Sequence, residues 1–383
     1  MKRKRLLTLL GSVCLAVMLL VPLAVSCGPA TPEAAEEEIA ALESEIDELE
    51  GDVSVKDAKI SDLEDEIAGL RAPSEVIHWR FQSYDSPESL APYLAFCDNI
   101  NRNTDGQIEI EYFPSGALVP AAEQAAAVRD GTLDLTLTWG DYHKGLIPVG
   151  EVEAGLPMSW GNIHQAQLFF NVYGAREIIR EAYAEHNIYW VTNDLETGCY
   201  ALLKKPVTKL EDMTDVKFRC TAGIGELLGK FDIPTVYLPA EELYTSMATG
   251  IIDAVIYGTD GDYYSMKLHE QAKYVVNMQL LDPYTSAILL NMDEWNALPD
   301  DLKGIFQDAA IAHFTISYWE YWLEQSSAAK EAGVFEYLNL APEDVKKLTE
   351  AALVMWDEVA AKSPRCAELI ELLKKMNRGV GRL

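Results

Sequence analysis

One stretch of this chain occurs twice, and that repetition narrows its fold more than any other feature. The first copy reads Tyr112-Phe113-Pro114, a helix from about Glu123, Gly131, Asp134 and the apolar run Leu135-Thr136-Leu137. The second reads Tyr237-Leu238-Pro239, a helix from about Glu242, Gly250, Asp253 and Ala254-Val255-Ile256. Glu and Gly are eight residues apart in both copies, and Gly and Asp three. Each copy predicts a strand ending at Tyr-x-Pro, a helix, a glycine in the left-handed turn at its end, and another strand. The connection after Pro is longer in the first copy: nine residues separate Pro114 from Glu123, and three separate Pro239 from Glu242. Two βαβ units in one chain imply two similar α/β lobes with a cleft between them, and ligands of such sheets sit beyond the carboxyl ends of the strands.

The repeat occupies only part of 383 residues, and the charge divides the rest. The formal net charge is −30, which disfavours nucleic acid, since phosphate binding needs a basic face. Residues 1–27 carry Lys2, Arg3, Lys4 and Arg5 and no acid, residues 28–73 carry a net −12, and residues 74–383 carry −22. The basic start and the apolar run Leu6–Val25 match an export signal. The run closes on Ala24-Val25-Ser26-Cys27, similar to a lipoprotein signal in which Cys27 is lipidated, although Ala24 replaces the usual larger aliphatic residue. An uncleaved membrane anchor is the alternative, because about 20 apolar residues can span a bilayer. Both readings place the remainder outside the cytoplasmic membrane, in the periplasm or on the membrane's outer face.

Residues 28–73 predict an acidic linker and a coiled-coil stalk over 39–70. Ile39, Ile46, Val53, Ile60 and Ile67 fall on heptad positions a, and Leu42, Leu49, Lys56, Leu63 and Leu70 on positions d. β-Branched residues at a with Leu at d favour a parallel two-stranded coil, hence a homodimer. Acids crowd the outside of both partners, so a solvated spacer stays open as the other reading. Ala72-Pro73 ends the helix. Residues 76–383 form the globular body, with strand-like Val76–Phe81 and Ile108–Phe113 flanking a helix over Ser89–Asn101.

The body resembles the solute-binding proteins of tripartite ATP-independent periplasmic (TRAP) transporters. The resemblance covers about residues 77–345. It rests on Lys204-Lys205-Pro206-Val207, Leu210-Glu211-Asp212-Met213 and Val216-Lys217-Phe218-Arg219, on VYLPAEELYTSMATGIIDA ending at Ala254, and on EWNALPDDLKGIFQDAA over Glu294–Ala310. It implies a two-lobed, periplasmic-binding-protein-like α/β fold of type II, backed by a long helix. It also implies capture of a small organic acid and its delivery to the TRAP membrane permease, without catalysis or cofactor. Lobe I is expected over 76–199 plus 275–310, and lobe II over 200–274 plus the C-terminal helices. Hinges are expected near Cys199–Leu203 and Val275–Leu281. The long helix is expected from about Pro299 to Gln325, with Phe306, His313, Phe314, Tyr318 and Trp319 in the core.

The family's carboxylate-clamping arginine corresponds to Arg219, and a guanidinium fork matches a carboxylate bidentately. Trp139, Tyr142, Tyr257 and Asp260 follow repeat strands and are further ligand-binding candidates, as are Trp160 and Tyr200. Asp141 also follows the first repeat's strand. In the family's 2-oxoacid branch the residues at Ile256 and Tyr257 are Glu and Trp and help bind a metal. The Ile256 side chain has no oxygen to offer a cation, so no metal ligand is assigned. A second arginine of the sialic-acid binders aligns near Tyr200, and their usual Asn near Tyr257, so that sugar acid is disfavoured too.

Other chemistry has weaker support. Gly223-Ile224-Gly225 through Gly229 follows a strand, but its last glycine is one residue late for a dinucleotide fingerprint. The six His residues are scattered, with neither a zinc motif nor a Gly-x-Ser-x-Gly elbow. An exported hydrolase and a structural envelope tether remain the alternatives. Cys97, Cys199, Cys220 and Cys366 would stay in the mature body, and their three full pairings are all open.

Overall fold

A computed structural model describes residues 32–70, 76–195 and 198–383. The expected signal segment and Cys27 lie outside the described residues. The chain divides into two compact units, residues 1–74 and 75–383. Among the described residues the first holds the helix Pro32–Leu70, of 39 residues. Ile39, Leu42, Ile46, Leu49, Val53, Ile60 and Leu63 of the expected seam are all exposed on it. Among the described residues no helix is long and apolar enough to cross a membrane.

The second unit contains two sheets. The first is ordered β2-β1-β3-β10-β4, built from β1 (Ile77–Ser83), β2 (Ile108–Phe113), β3 (Leu135–Thr138), β4 (Ile188–Asn193) and β10 (Ala287–Asn291). The second is ordered β11-β9-β5-β8-β6-β7, built from β5 (Ala201–Leu203), β6 (Phe218–Arg219), β7 (Thr235–Val236), β8 (Ala254–Ile256), β9 (Tyr274–Asn277) and β11 (Glu336–Asn339). The two share one plan. β1 lies parallel between β2 and β3, as β6 lies parallel between β7 and β8. An antiparallel strand follows in each, β10 beside β3 and β5 beside β8.

The repeat accounts for this likeness residue by residue. Its helices are Gln124–Arg129 and Leu243–Ala248, each entered through one 3₁₀ turn. Gly131 and Gly250 adopt φ of 71° and 76°, the left-handed conformation that ends a helix and that glycine enters without steric cost. The aspartates three residues on then tie two strands together. Asp134 accepts the Arg80 backbone N–H at 2.7 Å, and Asp253 accepts that of Lys217 at 3.2 Å.

The chain passes between the sheets twice, from β4 to β5 and, over 278–286, from β9 to β10. The two passages run side by side: the Cys199 N–H donates to Leu281 O and the Asp194 N–H to Ser286 O. β9 therefore belongs to the second sheet, although the sequence reading assigned residues from 275 to lobe I. Its backbone pairs with β5 over Tyr274–Val276, so the crossing begins only after Asn277. The C-terminal helices also divide, where the sequence reading gave both to lobe II. Pro342–Ala360 packs on Ala222–Gly229 of the second lobe, while Pro364–Gly379 packs on three helices of the first. Cys366, Leu369, Ile370 and Leu373 are the reason, since they are buried in the first lobe's core with Phe169 and Ile179.

The long helix runs Asp300–Ala312, widens into a π-helical turn over His313–Ser317, and continues as Tyr318–Ala332. Its first part packs on β4 and on Leu90–Asn103, its last part on Asp260–Ser265. Phe306, Phe314 and Tyr318 are buried. All four body cysteines are buried free thiols.

Candidate functional site

Arg219 ends β6, the strand flanked on both sides in the second sheet. Phe218 before it is buried in the hydrophobic core, and strand alternation turns Arg219 to the opposite face. The guanidinium is wholly buried, at 0 % exposure. Its Nε donates to Leu238 O at 2.7 Å and its Nη1 to Ile256 O at 3.3 Å. Nη2 is buried with no hydrogen-bond partner among the described residues. Burial opposes the charge, but Tyr142, Tyr257 and Tyr237 offset that, and the group stays a cation. Among the described residues no carboxylate lies within ion-pair distance of it.

Aromatic rings enclose the guanidinium. Its carbon lies 5.4 Å from the Tyr237 ring centre and 5.2 Å from that of Tyr257, within cation–π range. Tyr142 of the first lobe meets Tyr237 of the second edge to face at 5.5 Å, and meets Tyr84 at 5.9 Å. Tyr257 then donates from its hydroxyl to Asp85 of the first lobe at 2.9 Å. Arg219 is thus roofed by residues of both lobes.

Further contacts hold the lobes together. Asp141 accepts the Gly223 N–H at 3.0 Å and pairs with Lys144 at 2.8 Å. Lys144 also reaches Glu226 of the second lobe and Glu151 of its own, each at 3.1 Å. A cavity of about 10 Å³ lies behind this clasp, lined in part by Trp139, Thr221, Gly223 and Leu281.

Buried acids gather on the far side of Tyr257. Burial and Asp262 push Asp85 up to about 7, although the Tyr257 and Tyr318 hydroxyls bond to it. Burial, Asp85 and Asp262 hold Asp194 well above the carboxylate range against the Ser286 N–H. Burial raises Asp262 to about 6 against the bonds from Thr259. A Cβ at Gly258 would lie 2.5 Å from the Asp262 carboxylate and 3.2 Å from the Tyr284 hydroxyl, so only glycine fits there.

The structure brings Arg219, Tyr142 and Tyr257 together and places the other candidates elsewhere. Trp139 stacks on Tyr284 at 5.2 Å, beside the crossing segments. Trp160 packs in the first lobe's core against Phe169 and Phe170, and its indole N–H donates to Pro283 O. Tyr200 packs against the second lobe's own core, and burial, Asp260 and Asp282 push its phenol up. Asp260 opens a helix that faces the long helix, and it accepts from Ser326 of the long helix at 2.6 Å and from Tyr337 of β11 at 2.7 Å. Three residues past Tyr257, the chain has turned its side chains to another surface. Tyr237, Tyr84, Asp85 and Asp194 were not among the candidates. Tyr237 had a signal, since it belongs to the Tyr-x-Pro of the repeat.

Two α/β lobes joined by paired crossings meet over a buried cation. The sequence profile of bacterial extracellular solute-binding proteins, family 7, matches residues 81–363. The chain is similar to a monocarboxylate 2-oxoacid-binding periplasmic protein of Nostoc sp., 23 % identical over 259 residues, covering 66 % of this chain and 71 % of that one. It is likewise 23 % identical over 300 residues to the ectoine/5-hydroxyectoine-binding periplasmic protein UehA of Ruegeria pomeroyi, covering 77 % and 85 %. Among solved structures, a TRAP periplasmic solute binding protein of Chromohalobacter salexigens with bound (S)-(+)-2-amino-1-propanol superposes with a TM-score of 0.74 at 24 % identity, covering 79 % of this chain and 96 % of that one. The chain belongs to family 7 of the bacterial extracellular solute-binding proteins, the periplasmic binding components of TRAP transporters.

Proposed function

We propose that this protein captures a small organic acid between its lobes, with Arg219 holding the carboxylate, and hands it to a TRAP membrane permease. The observation that carries this reading is Arg219 itself, a wholly buried guanidinium that has, among the described residues, no carboxylate partner and no hydrogen-bond partner for Nη2. A buried unpaired charge costs several kcal/mol, on the order of 3–5 when a partner is removed, so the closed state favours an incoming anion. Tyr142 and Tyr257 would line the ligand, with Trp139 at the hinge side. The relatives named for 2-oxoacid and ectoine binding show that the family's ligands differ widely, so the ligand class rests on this chain's own residues. Isothermal calorimetry with an acid that raises the melting temperature tests the reading. Binding that survives Arg219→Ala, or turnover of an ester or peptide, overturns it.

Lipidation at Cys27 would hold the protein at the membrane's outer face, with residues 28–73 as its stalk. The exposed Ile and Leu seam on Pro32–Leu70 favours pairing of two stalks. Sedimentation of residues 28–383 should then give a dimer and of residues 75–383 a monomer; two monomers would sink the pairing.

A further inference from the structure

One contact between the lobes joins Arg219's surroundings to the buried acids. The Tyr257 ring lies over the Arg219 guanidinium, and its hydroxyl donates to Asp85 Oδ1 of the first lobe at 2.9 Å. Asp85 stands two residues past β1 and is 3 % exposed. Its Oδ2 accepts from the hydroxyls of Tyr93 and of Tyr318 on the long helix. The second lobe meets it with Tyr257 and with the charge of Asp262, from the helix Asp260–Ser265 that packs on the turn Pro87–Ser89. The ionisable side chains that act on Asp85 or feel it are Tyr93, Tyr112, Tyr257, Tyr318 and Tyr321, with Asp194 and Asp262. Among the described residues no Lys, Arg or His lies within ion-pair distance of it.

We infer that Asp85 is a positioning residue for the binding site: it fixes the Tyr257 ring over Arg219 when the lobes meet, and it takes up a proton as they do. This rests on the organic-acid reading above and adds how the site around Arg219 is assembled. Opening withdraws Tyr257 and Asp262 and lets water reach the carboxyl, so its affinity for protons returns toward that of an ordinary aspartate. With the lobes together, burial and the Asp262 charge outweigh the bonds from Tyr257 and Tyr318 and push Asp85 up to about 7. Closure is therefore linked to protonation and strengthens as pH falls. The neutral carboxyl keeps the contact, because one oxygen still accepts from Tyr257 while the other, protonated, donates to a tyrosine hydroxyl. Asp85→Asn copies that neutral form, with an amide N–H in place of the acid O–H.

Two measurements on residues 28–383 test this. Pulsed electron paramagnetic resonance between nitroxides at Glu109→Cys of the first lobe and Glu211→Cys of the second, diluted in unlabelled chain, reads closure with no acid added. The closed fraction should rise as pH falls from 8 to 6. Asp85→Asn should hold, at both pH values, the distance distribution that the wild type shows at pH 6. Tyr257→Phe should lower the closed fraction at both, which keeps a second variant in hand if Asp85→Asn fails to fold. Calorimetry with pyruvate, L-lactate, benzoate and phenylacetate, all ionised across this range, reads the consequence. An acid that binds should bind about tenfold tighter at pH 6 than at pH 8 and carry in about half a proton at pH 7. In Asp85→Asn the two affinities should agree within about twofold. Wild-type distances that ignore pH overturn the role of Asp85, as does an unaltered pH dependence in Asp85→Asn. Binding that ignores pH but is lost in Arg219→Ala overturns it too and leaves the organic-acid reading intact. If none of the four acids binds, that counts against the organic-acid reading, and the distances alone decide for or against Asp85.

Discussion

Gln82 and Arg219 stand at the same place in the two halves of the repeat. The strand contacts establish the equivalence: Phe81 pairs with Leu135 as Phe218 pairs with Ala254, and Asp134 and Asp253 grip the residue before each Phe. Both side chains are buried. Gln82 is fully used by its own lobe. Its amide donates to Val119 O at 2.7 Å and accepts the N–H groups of Leu118 and Val119, each at 3.1 Å. The longer connection after Pro114 supplies all three partners. Among the described residues the short connection after Pro239 gives Arg219 no partner: its carbonyls are Leu238 O, which precedes that proline, and Ile256 O at the end of β8. The same architecture therefore closes a site in one lobe and leaves it open in the other, and loop length decides which.

Breaking each side of the comparison should give opposite results. Arg219→Ala should weaken binding of any acid that shifts the melting temperature by at least about 100-fold in calorimetry, the scale of a lost buried charge-assisted contact. Gln82→Leu should leave affinity within about threefold. It should instead cost about 2–3 kcal/mol in urea unfolding, because two backbone N–H groups lose their acceptor. Equal effects on binding would refute the division of labour.

The pH dependence separates the lobes next. The first lobe holds Asp85, near 7, and Glu153, which burial lifts to about 8 despite its bond from Tyr183. Both bind protons more tightly folded than unfolded, so stability falls as pH rises from 6.5 through 8.5. These two account for a loss of about 3 kcal/mol over that window, and Asp194, also held well above the carboxylate range, adds to it. Buried His143 and His313, depressed to about 4, act only below pH 6.5, where their effect has the opposite sign. Glu153→Gln and Asp85→Asn should make the profile shallower and leave the part due to Asp194. Asp262→Asn in the second lobe should change it little above pH 7, since Asp262 titrates near 6.

The smallest contrast lies in the paired aspartates. Asp134 holds both the Arg80 N–H and its guanidinium, at 2.7 and 3.1 Å, whereas Asp253 holds only the Lys217 N–H at 3.2 Å. Asp134→Ala should cost about 2 kcal/mol and Asp253→Ala about 1 in the same unfolding assay. The reverse order would show that the two ties are not equivalent.

The fold was readable because its determinants are local. Gly131, Gly250 and the two Tyr-x-Pro turns fix helix ends and strand ends within a few residues, and Arg219 stands in a motif. The buried acids beyond Tyr257 were not readable. Asp85 and Asp194 are two of 61 acids, and neither belongs to a pattern. They meet only because β4 crosses to β5 beside the returning segment. Trp160, Tyr200 and Asp260 lie away from Arg219 for a related reason. Past the end of a strand the chain turns, and nearness in sequence to Tyr257 or Cys199 no longer says which way a side chain points. The boundary at β9 was missed because Val275–Leu281 reads as one apolar stretch, though only its first residues are paired.

The clasp at Lys144 has a kinetic consequence. Its amine is mostly buried against Asp141 and Glu151, but its partner across the cleft, Glu226, is half exposed. A contact open to solvent on one side is screened by salt, so ionic strength acts on the latch before it reaches the enclosed cation. Raising salt should shorten the time a captured molecule stays inside while changing what is captured far less. Residence time and selectivity would then be set by different residues, and a permease that displaced Glu226 could trigger release without touching the ligand.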